Sequence, residues 1–81
     1  MFYVYVLKSL LDNKHYIGFS KDLRKRTKDH MEGRVPSTKS RRPLELIYYE
    51  AFKYEQDARK QEEFYKTGQG RRVLSKRLHT E

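Results

Sequence analysis

The sequence has no cysteine. That excludes a disulfide framework and any thiolate-held metal. A secreted domain of this size usually needs such staples, so the expected compartment is the cytoplasm. No apolar run approaches the length of a membrane span. The chain begins directly with strand-like sequence and shows no signal-peptide pattern. Acidic residues are scarce beside basic ones, 11 against 19, and the net charge is +8. An excess of that sign favours polyanionic partners: DNA, RNA or an anionic membrane surface. By itself it selects none of them, because many small proteins with no such partner are equally basic.

Apolar residues are also few, at 36%. The 81 residues imply one domain, spanning 1–81. A domain this small buries only about 60% of the surface its unfolded chain exposes, so its core is thin. Seven tyrosines and four phenylalanines compensate, since tyrosine combines bulk with a polar tip.

Two segments near the N-terminus carry the β-branched and aromatic residues that suit a pleated surface: Phe2 to Lys8, and His15 to Phe19. Asp12, Asn13 and Lys14 between them form a turn cluster. The reading is a β-hairpin. Side chains alternate along a strand, so Tyr3, Tyr5 and Leu7 share one face, and Tyr16, Gly18 and Ser20 share a face of the second strand. A register that puts Tyr5 and Tyr16 on one side brings two phenols together beside a glycine. Without a side chain, Gly18 allows a ligand or a backbone to approach closely.

Ser20 then reads as a helix N-cap. Leu23, Thr27, His30 and Met31 repeat at helical spacing and mark an inward face, and Gly33 is the stop. Arg26 and His30 are four apart and stand one above the other at the edge of that face. Residues 33–43 have the composition of a positively charged loop. Leu44 to Phe52 is a third strand, and a second helix runs over about residues 55–67. Tyr54, Ala58, Gln61 and Tyr65 line one side of it, with Glu62 on the flank of that side and Glu63 toward water. The stretch Thr67-Gly68-Gln69-Gly70 breaks the helix, and Arg71 to His79 forms a last short one. The expected architecture is α+β: a three-stranded antiparallel sheet flanked by helices, in the order β-β-α-β-α-α.

The segments Tyr3-Val4-Tyr5 and Tyr16-Ile17-Gly18, ten residues apart, resemble the signature of the GIY-YIG endonuclease domain. The likeness is to its small stand-alone bacterial form, of the UPF0213 type or the type found at the N-terminus of excinuclease C. Tyr3 replaces the signature's first glycine. The family carries an arginine on the helix after the second half of the signature, often with a histidine one turn later; Arg26 and His30 match both. It carries a glutamate on a later helix, usually after an alanine; Ala58 and Glu62 fit that pattern. Larger relatives have an asparagine beyond that helix, and this chain has none after Asn13.

The resemblance implies a metal-dependent endonuclease that hydrolyses phosphodiester bonds in DNA, with repair or recombination as its setting. It implies Mg²⁺ or Mn²⁺ held by Glu62, which suits a cation that takes one or two carboxylates and completes its shell with water and phosphate. It implies Arg26 on the scissile phosphate, where a guanidinium fork matches the oxygens. Tyr5 is favoured as the base and Tyr16 as a positioning group, with His30 assisting; the sequence leaves that division open. Read from charge alone, the basic clusters Lys39, Arg41, Arg42 and Arg71, Arg72 would grip flanking phosphates or else form a solubilising surface; Tyr48 or Tyr49 offers a ring for stacking on bases, with core packing the expected fate of at least one of them. The mild penalty for positive charge at a helix start hints at a use for Arg71 and Arg72. Taken singly, each residue has an ordinary reading: strand tyrosines, a solvated arginine, and a glutamate paired with Lys66 one turn on. Their co-occurrence in order and phase favours the enzyme. The alternative is a non-catalytic nucleic-acid-binding or recruitment module on the same fold. No partner protein is implied, and a monomer is expected.

Overall fold

Val4, Tyr5, Val6 and Leu7 are consecutive and each is at most 1% exposed. Because strand side chains alternate, a run buried on both sides requires that both faces of the sheet be covered. The structure, a computed structural model, describes residues 1–78 and meets this requirement. Strand β1 (Phe2–Ser9) is the centre of the sheet. It pairs antiparallel with β2 (His15–Ser20) on one side and β3 (Leu44–Phe52) on the other. Helices α1 (Leu23–Met31) and α2 (Pro36–Lys39) precede β3, and α3 (Glu55–Tyr65) and α4 (Gly68–Leu78) follow it.

The two faces hold two separate cores. Val4 and Val6 pack with Ala58, Tyr65 and Leu74 of α3 and α4. Tyr5 and Leu7 pack with Leu44, and with Leu23 of α1 and Tyr16 beside them. The hairpin turns at Asn13, whose φ of 62° is one an Asx residue accepts. Ser9 anchors that turn. Its hydroxyl accepts from the Leu11 and Asp12 N–H groups and donates to the Arg41 carbonyl at 2.7 Å, fastening the later loop to β1.

The α+β class and the three-stranded sheet agree with the sequence reading; several details do not. Asp22, not Ser20, caps α1: its Oδ1 accepts from the Lys25 N–H at 3.0 Å. Ser20 is still paired in the sheet opposite Tyr3, and its hydroxyl accepts from the Asp22 N–H instead. Met31 is the last residue of α1 and is 37% exposed, so it leaves the inward face. The region read as a loop contains α2, opened by Pro36 at its first turn. Helix α4 starts at Gly68 rather than Arg71. The Thr67 hydroxyl accepts from the Gly70 N–H, and a Cβ on residue 70 would overlap the Phe64 carbonyl, so this glycine lets the two helices turn tightly. Arg71 and Arg72 therefore lie a turn inside α4, where the dipole penalty has faded. His79, the predicted end of this helix, lies outside the described residues.

Candidate active site

Tyr5 is aligned with Gly18 across the β1–β2 ladder. Its ring lies over the glycine and is wholly buried. Tyr16 sits two residues along β2 on the same face, and the two ring centroids are 6.4 Å apart. From α1, Arg26 and His30 descend onto this pair. The Tyr5 hydroxyl is 2.8 Å from His30 Nε2, and the Arg26 guanidinium lies beside it. His30 packs edge-on to Tyr5 and tilted against Tyr16. Its second ring nitrogen, Nδ1, is 2.7 Å from the Thr38 hydroxyl of α2. Ser37 places its own hydroxyl 3.5 Å from that of Tyr16. Helix α2 is thus the rear wall of the pocket.

Glu62 arrives from the other side of the sheet. Helix α3 crosses behind β2, where Arg59 stacks on the Phe19 ring at 4.0 Å. One turn later the Glu62 side chain is 18% exposed and paired with Lys66 at 2.9 Å. Its negative charge still reaches Tyr5. Glu63 is exposed, as the helical phase predicts.

Burial pushes the Tyr5 phenol above its ordinary pKa; the neighbouring Arg26 pulls the other way, and Tyr16 and Glu62 add to the rise. Tyr5 is therefore a neutral phenol near pH 7 in the resting protein. His30 is fully buried and faces the positive charge of Arg26; burial first and that repulsion second bring its pKa down to about 4. It is a neutral imidazole at pH 7, and it touches Tyr5 rather than solvent.

Among the described residues no three His, Cys, Asp or Glu side chains cluster tightly enough to hold a metal ion on their own. The donors near the two phenols are one carboxylate and hydroxyl oxygens. That set fits a hard cation such as Mg²⁺ or Mn²⁺ that shares its coordination with water and a substrate phosphate, and it does not fit a structural metal.

A cleft of about 900 Å³ leads away from Tyr16, lined among others by Lys14, Ile17, Arg41, Lys66 and Arg71. Arg41 and Arg71 thus reach one surface continuous with the pocket. Lys39, Arg42 and Arg72 do not line it. Arg42 has a structural contact instead: its Nε donates to the Lys39 carbonyl, and its guanidinium covers Gly33, whose φ is +80°. Lys14 and Lys66 were not singled out from the sequence, because one sits in a turn and the other looked like a plain ion-pair partner. Tyr48 is half-buried on the opposite face, donating to Glu50, whereas Tyr49 is 52% exposed beside Tyr3. No helix among the described residues is long and apolar enough to cross a membrane.

Comparison with known proteins bears on the family and the fold. The chain is 42% identical over 65 residues to the UPF0213 protein YazA of Bacillus subtilis, covering 79% of this chain and 65% of that protein. It is 39% identical over 66 residues to the UPF0213 protein SSP2268 of Staphylococcus saprophyticus, covering 80% and 79%. The matched region therefore spans about two thirds of the Bacillus subtilis relative. The solution structure of the UPF0213 protein BH0048 from Bacillus halodurans superposes with a TM-score of 0.59 at 29% identity, covering 94% of this chain and 84% of that one. The model of the GIY-YIG catalytic domain matches residues 1–75. All three strands, the site tyrosines and the helices bearing Arg26, His30 and Glu62 fall inside that match, and the chain belongs to the GIY-YIG family of nuclease domains.

Proposed function

We propose that this protein is an endonuclease that hydrolyses phosphodiester bonds in nucleic acid, with DNA as the first substrate to test. The observation that carries the reading is the convergence of Tyr5, Tyr16 and Arg26 from one layer with Glu62 from the other. A binding module has no need of a carboxylate set among cations, nor of a phenol shut between a guanidinium and an imidazole.

The chemistry follows from the residues. Hydrolysis needs a water attacking phosphorus, an acceptor for its proton, and neutralisation of the charge that builds on the phosphoryl oxygens. Arg26 holds two of those oxygens in its fork and stays charged at any working pH. Tyr5, ionised by loss of its proton to solvent, accepts the proton of the attacking water as the new P–O bond forms; the bond to the leaving oxygen breaks, and that oxygen takes up a proton from solvent. Tyr16 orients that water. His30 holds Tyr5 from behind. Glu62 would hold the divalent cation, which supplies positive charge to the phosphate and to the phenolate when bound. To do so Glu62 must exchange Lys66 for the cation, leaving the lysine for a neighbouring phosphate. Lys14, Arg41 and Arg71 carry the flanking backbone along the cleft.

The test is incubation with supercoiled plasmid and with branched DNA, in Mg²⁺, Mn²⁺ or chelator. Metal-dependent cleavage that disappears in Glu62→Ala is the expected result. Cleavage that persists in Glu62→Ala points to a contaminant. Salt-sensitive binding with no cleavage in any metal supports the recruitment-module alternative.

A further inference from the structure

We propose that Tyr3 and Tyr49 form a second nucleic-acid site: a groove beside helix α1 in which an unpaired base of a DNA strand stacks. This rests on the nucleic-acid reading above and narrows its substrate to DNA with an unpaired stretch.

The groove has a volume of about 540 Å³ and shares no lining residue with the Tyr5 pocket. Its place follows from the register. Gly18, Tyr5 and Tyr49 are aligned across β2, β1 and β3, so these positions share the face that carries the pocket. Tyr3, two residues before Tyr5, shares it too. Helix α1 packs on this face through Leu23. Helical phase puts Arg26 and His30 on one flank of α1 and Arg24 and Thr27 on the other. The pocket therefore lies on one side of α1 and the groove on the other, with Tyr5 and Tyr49 on neighbouring strands about 5 Å apart.

Tyr49 is unlike the tyrosines that hold the fold. Tyr48 and Tyr65 donate their hydroxyls to Glu50, and Tyr65 is wholly buried. Tyr49 stands out from the sheet, and among the described residues neither its hydroxyl nor that of Tyr3 makes a hydrogen bond. The two rings meet edge to face, with centroids 6.1 Å apart and an interplanar angle of 66°. In that arrangement the ring that offers its edge keeps both faces for another aromatic group. Two cations border the groove. Lys21 approaches Glu55 only to 4.0 Å, and Arg59 already holds that carboxylate at 2.8 Å. Arg24 is exposed and, among the described residues, pairs with no carboxylate. The one acid on the lining, Asp22, has its Oδ1 on the Lys25 N–H.

An aromatic face between two available cations fits a base together with its phosphate. An apolar peptide would draw nothing from the cations, and an acidic one little from the ring faces. In a duplex each base is covered by its neighbours, so the base that lies on these rings is an unpaired one. The cleft beyond Tyr16 holds backbone by charge, and the groove adds a ring to that grip. A strand crossing the start of α1 touches both.

Fluorescence anisotropy in chelator tests the site without cleavage. The probes are a labelled oligothymidylate and the same strand annealed to its complement. Tyr49→Ala should weaken binding of the single strand by about tenfold, the loss of one stacked base, and change duplex affinity by less than about twofold. Tyr49→Phe should bind as the wild type does. Iodouracil placed in the single strand should cross-link under ultraviolet light to Tyr49 or Tyr3 of the wild type, read by mass spectrometry. A wild type that does not bind the single strand overturns the proposal. So does Tyr49→Ala with equal losses on both probes or none on either, and so do cross-links confined to residues outside the groove. If Tyr49→Ala does not fold, Tyr49→Leu and the wild-type cross-links decide. A wild type that cuts no substrate in any metal defeats the hydrolytic reading and leaves these binding results standing, because they need neither metal nor cleavage.

Discussion

The ring of Tyr5 occupies the space that a side chain on Gly18 would fill. A Cβ at residue 18 would stand 2.9 Å from Tyr5 Cε1 and closer still to Cζ and the hydroxyl oxygen. The glycine of the second half of the signature is thus explained by the tyrosine of the first. Gly18→Ala should displace the ring and break its contact with His30. Because the clash is with a buried ring, about 1–3 kcal/mol of stability should go as well. Cleavage should fall at least tenfold in protein that is still folded by circular dichroism. Full activity in Gly18→Ala would remove Tyr5 from the mechanism.

Glu62→Gln keeps the shape of the side chain and removes its charge. Cleavage should drop below detection in Mg²⁺ and Mn²⁺. Affinity for DNA without metal should be unchanged or higher, because a negative charge has left a cationic surface and Lys66 is released. Fluorescence anisotropy with a labelled oligonucleotide separates the two effects.

Cleavage should rise with pH across the neutral range, since the Tyr5 phenol is held above its ordinary pKa and only its ionised form accepts a proton. Arg26 lowers that pKa, so Arg26→Gln should push the rise to higher pH as well as weakening the grip on phosphate. A pH–rate profile for each protein checks both statements.

Stability should fall on acidification. His30 is neutral in the fold with a pKa of about 4, below the ordinary histidine value. The unfolded chain therefore binds the extra proton first. The stability His30 contributes is present above pH 6.5 and drains away toward pH 4, by on the order of 3 kcal/mol. Glu50 adds a second loss below that range. It accepts from Tyr48, Tyr65 and Gln61, which hold its carboxyl below the usual value despite burial. His30→Gln should flatten the upper part of the curve and leave the lower part. Urea titrations at pH 7, at pH 5.5, at pH 4 and at a more acidic pH below it test the separation.

Reversing the charge of Arg71 or Lys14 should weaken DNA binding and reduce its salt slope by about one unit for each phosphate no longer neutralised. Arg72→Glu, outside the cleft, should do neither. Equal effects at all three positions would mean that the cleft is not the path of the backbone.

The strands and the long helices were legible because their signals are periodic. Alternation fixed the faces of β1 and β2, and helical phase separated Glu62 from Glu63. Helix α2 was not legible. Four residues, Pro36–Lys39, are too few to show a period, and the surrounding Ser, Pro and Arg read as loop. The missed signal was Pro36 at a helix start followed by two hydroxyl residues. Its absence from the reading hid Thr38 and Ser37, and with them the rear wall of the pocket. The basic clusters were legible as charge but not as direction. Arg41 and Arg42 are neighbours in sequence, yet one lines the cleft while the other covers Gly33.

Arg26 reaches the pocket from one side of the sheet and Glu62 from the other, and each helix rests on its own apolar cluster. On the reading proposed above, a copy with either layer out of place would keep cations for nucleic acid but lack the pairing of Arg26 with Glu62 that cutting requires. Completion of both layers would then be the condition for activity, and a partly folded chain would leave nucleic acid uncut.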